Sequence, residues 1–304
     1  MKSLPRILFF IVIIATALIL SACQTTSAET QSNPPTSAPT DTPAPTCPNH
    51  ADMVPVDAGT FIMGSSREDI DFFAESCPSK EDDPQCGAWY FEDELPRREV
   101  SVDAFCIDKT EVTNAQFAKF VDATGYETTA EKRGISITWN DANRDWNLDV
   151  SGADWRHPDG TDNIAPDDHP VVQVSYFDAQ AYCEWAGKRL PTATEWEKAA
   201  RGTDGRRWPW GDKWDPTALN FYEVKPPQTQ PVGSYPTGAS PYGAVDMLGN
   251  ALEWTAMDSP GQETVERRGG SWASIKVYLH AGWRNYGPPD DTRPTVGFRC
   301  VVNQ

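Results

Sequence analysis

The stretch Trp185-Ala186-Gly187-Lys188-Arg189-Leu190-Pro191-Thr192-Ala193-Thr194-Glu195-Trp196-Glu197 closes one helix and opens the next. Gly187 suits a helix end, because glycine reaches the left-handed conformation at little cost. Thr192 followed three residues on by Glu195 is a capping box, in which each side chain takes up a backbone N–H that the first turn leaves free. Trp196, Ala199 and Ala200 then share one apolar side, and Gly202 stops the helix. Upstream, Ala179, Tyr182, Cys183 and Ala186 give the preceding helix its buried side after Ser175. A further helix begins at Asn114 with Thr113 as its cap and Phe117, Phe120 and Val121 on one face. Val54–Met63 and Glu99–Val112 have strand character, while Gly-, Pro- and Asp-rich loops fill 127–170 and 202–243. Loops of that length inside one domain need ions, disulfides or tight local packing. The expected fold class is α+β, a single irregular domain with little regular secondary structure.

The chain opens with Lys2 and Arg6, an apolar run from Ile7 to Leu20, then Leu20-Ser21-Ala22-Cys23. A basic start, a short apolar stretch and small residues before a cut site make a secretory signal, shorter than the roughly 20 residues a spanning helix needs. Leu-Ser-Ala-Cys resembles the bacterial lipobox, so residues 1–22 read as a lipoprotein signal peptide and Cys23 as the lipidated N-terminus. An ordinary signal peptide with an incidental Cys, or an uncleaved anchor, is the alternative. Residues 23–46 are rich in Ser, Thr and Pro and lack aromatics. Such a segment cannot offset its ordering entropy by apolar burial, and it reads as a tether reaching on the order of 70 Å. The domain expected is 47–304, exported and held by lipid to the cell membrane or outer membrane on its extracytoplasmic side.

The formal net charge is −18, and loss of the two positive charges of the signal makes it −20. So acidic a surface repels phosphate backbones, which excludes nucleic acid as a partner. Clusters such as Glu92-Asp93-Glu94 read as a solvated face. With Cys23 lipidated, six cysteines remain, an even number that suits disulfides in an exported chain. Cys77 and Cys86 are close enough in sequence for a local bridge; free buried thiols are the alternative.

Nine segments carry a family pattern, in order: Met53–Ser65, Asp108–Asn114, His169–Ser175, Trp185–Thr192, Glu195–Glu197, Pro209–Gly211, Gly249–Trp254, Gly269–Trp272 and Gly297–Cys300. Together they resemble the formylglycine-generating enzyme family, the sulfatase-modifying-factor domain. The resemblance implies one domain distantly similar to C-type lectin folds. It also implies a Cys183–Cys300 disulfide, which leaves Cys47 to Cys106.

Active members of that family are similar to copper oxidases, holding Cu(I) with two cysteines after the Gly-Gly-Ser motif; soft Cu(I) prefers thiolates. Here those positions fall on Ser274 and Leu279, and Leu252 stands where the active enzymes carry a Trp. Copper and formylglycine generation are therefore not expected. For calcium, the resemblance implies Asp246, Gly249, Ala251 and Glu253, with Asn220 and Phe221 as a weaker second set; hard oxygen donors suit Ca²⁺. Among the four histidines, His169 precedes Pro170 and reads as structural, and His280 lies beside the emptied copper positions.

Two readings of function follow. In the first, the chain is a non-catalytic binding or scaffold domain at the cell envelope. Ser271, Ser274, Trp254, Trp272, His280 and Arg284 would then shape a pocket for a peptide, protein or glycan. In the second, it is a divergent oxidoreductase of the same family, with Ser274, His280 and Asp290 or Asp291 supplying a changed site for a protein or thiol substrate. A Ser274–His280 hydrolase is a third thought.

Overall fold

Capping and strand pairing, more than long helices, organise the chain. The structure is a computed structural model that describes residues 46–47, 50–78, 86–142 and 145–304. The signal, Cys23 and nearly all of the tether lie outside the described residues. Residues 44–304 pack as one unit.

The strands are β1 (Met53–Val56), β2 (Gly59–Met63), β3 (Arg98–Val102), β4 (Phe105–Asp108), β5 (Ile135–Asn140), β6 (Asp145–Ser151), β7 (Leu252–Trp254), β8 (Val265–Arg268), β9 (Asn285–Gly287), β10 (Val296–Gly297) and β11 (Val301–Asn303). The helices are α1 (Arg67–Ala74), α2 (Asn114–Thr124), α3 (Thr129–Arg133), α4 (Tyr176–Trp185) and α5 (Ala193–Arg201). All five helices start with a capping box, and the three expected ones do so at Thr113, Ser175 and Thr192. Each of the two expected strand regions splits in two, giving the antiparallel pairs β1–β4 and β2–β3. β11 adds to β4, so the C-terminus closes a three-stranded sheet over the N-terminal strands. A second sheet runs β10-β7-β8-β9, and β5–β6 is a separate hairpin.

The hairpin and α3 fall where the sequence reads as loop, and α1 was not expected. The cues for both helices were present as Ser66–Asp69 and Thr128–Glu131. Disulfides join Cys47–Cys106, Cys77–Cys86 and Cys183–Cys300, the last stapling α4 to the chain just before β11.

Between the sheets and helices lies a core dense in aromatic rings, among them Phe117, Trp196, Trp208, Trp254 and Phe298, all essentially fully buried. It also holds charge. Glu197 on α5 accepts from Arg201 at 2.8 Å, from the Gly64 amide at 2.6 Å and from Arg268. Burial works against ionising Glu197, but the two guanidiniums and the amide outweigh it and hold the carboxyl below its usual range. No helix among the described residues is long and apolar enough to cross a membrane.

Candidate functional site

β8 ends at Arg268 and the chain turns through Gly269 and Gly270, both with positive φ. A Cβ on Gly270 would sit 2.6 Å from Leu279 Cδ2 and 3.3 Å from Ser274 Oγ. The two residues at the copper-thiol positions therefore converge on one point. What meets there cannot hold copper. Ser274 Oγ accepts the Ser271 amide at 3.0 Å, and Leu279 is fully buried, its carbonyl accepting the Trp208 indole at 2.7 Å. A neutral hydroxyl and a branched alkyl group replace two thiolates, so the site does not fit Cu(I).

His280 points elsewhere. Its Nε2 lies 2.9 Å from Glu94 Oε1, Nδ1 lies 3.2 Å from the Val277 carbonyl, and the ring stacks on Phe73 at 3.6 Å. Ser65 donates to the same Glu94 carboxylate at 2.5 Å. Glu94 is thus fully buried, which corrects the solvated-face reading of Glu92–Glu94: only Glu92 and Asp93 face solvent. No hydrogen bond joins Ser274 to His280 among the described residues. Asp290 pairs with Arg133, and Asp291 Oδ2 accepts from Arg267 at 2.8 Å and Arg293 at 2.7 Å. The residues of the oxidoreductase and hydrolase readings are thus committed to separate partners.

The pocket candidates also separate. Trp254 is fully buried with its indole N–H on the Val174 carbonyl at 3.0 Å, and Ser271 is buried against Ser274. Arg284 stands 3.9 Å from Glu266. Of the six, Trp272 alone lines the cleft described below.

Around the expected calcium residues the structure gathers carboxylates. Glu253 is taken up by Arg299, which donates to both its oxygens at 2.7 Å, and by the Trp196 indole at 2.7 Å. Asp246, at positive φ, accepts the Gly233 amide at 2.5 Å. Burial pushes its carboxyl up, against the pull of that amide and of Arg299. Glu111, which the sequence did not single out, is fully buried; burial and then the charge of Asp246 push it well above the usual range. Asn250 donates to Glu111 Oε1 at 2.9 Å and accepts from Asn220 at 3.1 Å, while Glu111 Oε2 and Asn220 Oδ1 have no partner among the described residues. Gly249 must be glycine here: its φ is +81° and a Cβ would meet the Asn220 carbonyl oxygen at 2.2 Å. The unsatisfied oxygens of Glu111 and Asn220 are of the hard type that suits a hard cation, whereas both oxygens of Glu253 are already taken up by Arg299. Phe221 is buried in the core, and Ala251 precedes β7. Nothing in the largely polar segment Asp108–Asn114 sets Glu111 apart from its acidic and hydroxyl neighbours in sequence. No group of three His, Cys, Asp or Glu side chains among the described residues is arranged as a metal cage.

A cleft of about 520 Å³ opens between β5, the 158–169 loop, the segment 227–229, Trp272 and Pro294. Trp139 and Trp272 meet edge to face at 6.3 Å, and Pro158, Pro166, Pro227, Pro294 and the largely exposed Ile164 complete its apolar lining. His169 stands at its wall, Nδ1 on Thr229 at 2.9 Å, and burial lowers its pKa.

Residues 39–304 match the sulfatase-modifying factor enzyme 1-like domain family. The formylglycine-generating enzyme of Bos taurus is 35% identical over 321 aligned positions, covering 90% of this chain and 79% of that protein. A Bos taurus relative described as inactive C-alpha-formylglycine-generating enzyme 2 is 37% identical over 242 positions, covering 68% and 80%. Among solved structures, PvdO from Pseudomonas aeruginosa superposes with a TM-score of 0.58 at 24% identity, covering 83% of this chain and 94% of that one. The chain belongs to the formylglycine-generating-enzyme, or sulfatase-modifying-factor, family.

Proposed function

We propose that this family member is a non-catalytic binding module, displayed at the cell envelope on a lipid attached to Cys23. The observation that carries the reading is the convergence of Ser274 Oγ and Leu279 Cδ2 on one point, where the family's oxidases need two thiolates. Function lives in a site and not in a fold, and here the redox site is filled while a cleft beside it stays open. The strongly negative surface supports a neutral or cationic peptide, protein or glycan as ligand. Calcium at Asp246, Asn220 and Glu111 would brace the loops behind the cleft.

The test loads the full chain, in detergent, with Cu(I), Fe(II) or Ca²⁺, then measures bound metal and O₂ uptake with a thiol peptide. Calcium binding with thermal stabilisation and no O₂ uptake is expected. Stoichiometric redox metal with turnover would establish the divergent oxidoreductase instead.

A further inference from the structure

We infer that the Trp139–Trp272 cleft is a carbohydrate site, selective for neutral or amine-bearing oligosaccharides. The inference rests on the binding-module reading and names its ligand class. Size comes first: about 520 Å³ is within the usual range for a small-ligand pocket and suits a few sugar rings. The lining then decides between a saccharide and a peptide. An extended peptide gains affinity by pairing its backbone with free N–H and C=O groups of a strand edge. Pro158, Pro166, Pro227 and Pro294 offer no N–H at all. Gln173 also takes up the β5 carbonyl of Ile137 and the loop carbonyl of Pro158, both at 2.8 Å, which removes two backbone acceptors from that side.

What the cleft does offer is aromatic surface and side-chain polar groups. Trp139 is partly exposed and presents an indole ring, whose negative face attracts the slightly positive C–H groups of a sugar ring, while the buried Trp272 backs it with its N–H on the Pro294 carbonyl at 3.1 Å. The indole N–H of Trp139 is buried without an acceptor among the described residues, so the ring meets a ligand through its exposed carbon surface. Asn163, Gln228 and the ring of His169 stand around the apolar floor as hydroxyl partners. Asp141 and Asp159 add negative charge at the same cleft, and the chain as a whole carries −18. That charge disfavours uronic, sulfated and phosphorylated glycans and leaves neutral or amino sugars.

The experiment exposes the full chain, in a detergent without a sugar headgroup, to an array carrying neutral, amino and sulfated glycans beside proline-rich peptides. Hits are then measured by calorimetry. Binding to neutral or amino oligosaccharides, with the sulfated counterparts silent, is expected. Trp139→Ala should weaken it about tenfold, the loss of one aromatic contact. Ile164→Asp, at an exposed position that folding does not need, should weaken it as well. Binding to the peptides alone overturns the carbohydrate assignment while keeping the binding module. Silence across the glycans overturns it too. A glycan that binds equally to wild type and both variants removes the cleft as its site. Redox turnover in the metal experiment would instead remove the reading on which the inference rests.

Discussion

The two sides of the Gly269–Gly270 turn have met opposite fates. On one side Ser274 and Leu279 close over the point where the family's oxidases bring two thiolates together, with the Ser274 hydroxyl on the Ser271 amide and the Leu279 carbonyl on the Trp208 indole. On the other side Trp272 and Trp139 border open space. Packed interiors penalise voids, so a lost metal is expected to be replaced by apolar volume, and Leu279 supplies it. A surface cleft has no such drive to close. The contrast teaches that side chains can fill the point after the glycine turn while a concavity lined by Trp139 stays open.

The sharpest way to break that comparison is to put the thiols back. In the double variant Ser274→Cys, Leu279→Cys the two sulfurs should lie close enough to share one soft ion. One Cu(I) per chain is then expected, against none for the wild type, measured by chelator competition. Under oxidising conditions the same thiols should form a fourth disulfide. Two thiols that neither share copper nor pair would show that the positions do not converge. Formylglycine generation should still be absent, because Leu252 also departs from the active enzymes.

The core that carries both sides depends on Glu197. With Arg201, Arg268 and the Gly64 amide as partners, its removal strands two buried guanidiniums. Glu197→Ala should cost about 3–5 kcal/mol in chemical denaturation. The pH dependence has a definite sign. A carboxyl held below its unfolded value binds fewer protons when folded, so its stabilisation is present above the ordinary carboxylate range and is lost as pH falls through the lowered value. Glu197→Gln should therefore flatten the acid limb of stability against pH. An unchanged slope would mean that the guanidiniums do not hold this carboxylate ionised.

Much of the frame was legible because it is written locally. Thr192 announces its helix through a partner three residues on, Thr113 and Ser175 mark theirs ahead of an apolar face, and Gly187 and Gly202 follow two of them with positive φ. The same local signal stood at Ser66 and Thr128, but short helices set in Asp- and Gly-rich sequence give little apolar periodicity to support it. The disulfides followed from the even count and the family resemblance. What sequence could not deliver was the site. Whether Glu94 faces water or His280 depends on residues 186 positions apart, and Trp254 on β7 and Ser271 and Trp272 after the glycine turn meet different partners for the same long-range reason. Trp139 lay inside a stretch read as loop, and only the hairpin register that pairs it with Trp146 turns it into a wall.

The smallest effect expected is also a discriminating one. Ile164 is 75% exposed, so replacing it removes little buried surface. Ile164→Asp should leave unfolding free energy within about 0.5 kcal/mol of wild type, as surface substitutions do. An exposed branched alkyl side chain beside two tryptophans has no folding role to explain it; its contribution is to the apolar lining of the cleft. If Ile164→Asp instead destabilises the fold by several kcal/mol in urea titration, the 158–169 loop is part of the packed core. The cleft would then be a seam in the structure and not a surface kept open for a ligand.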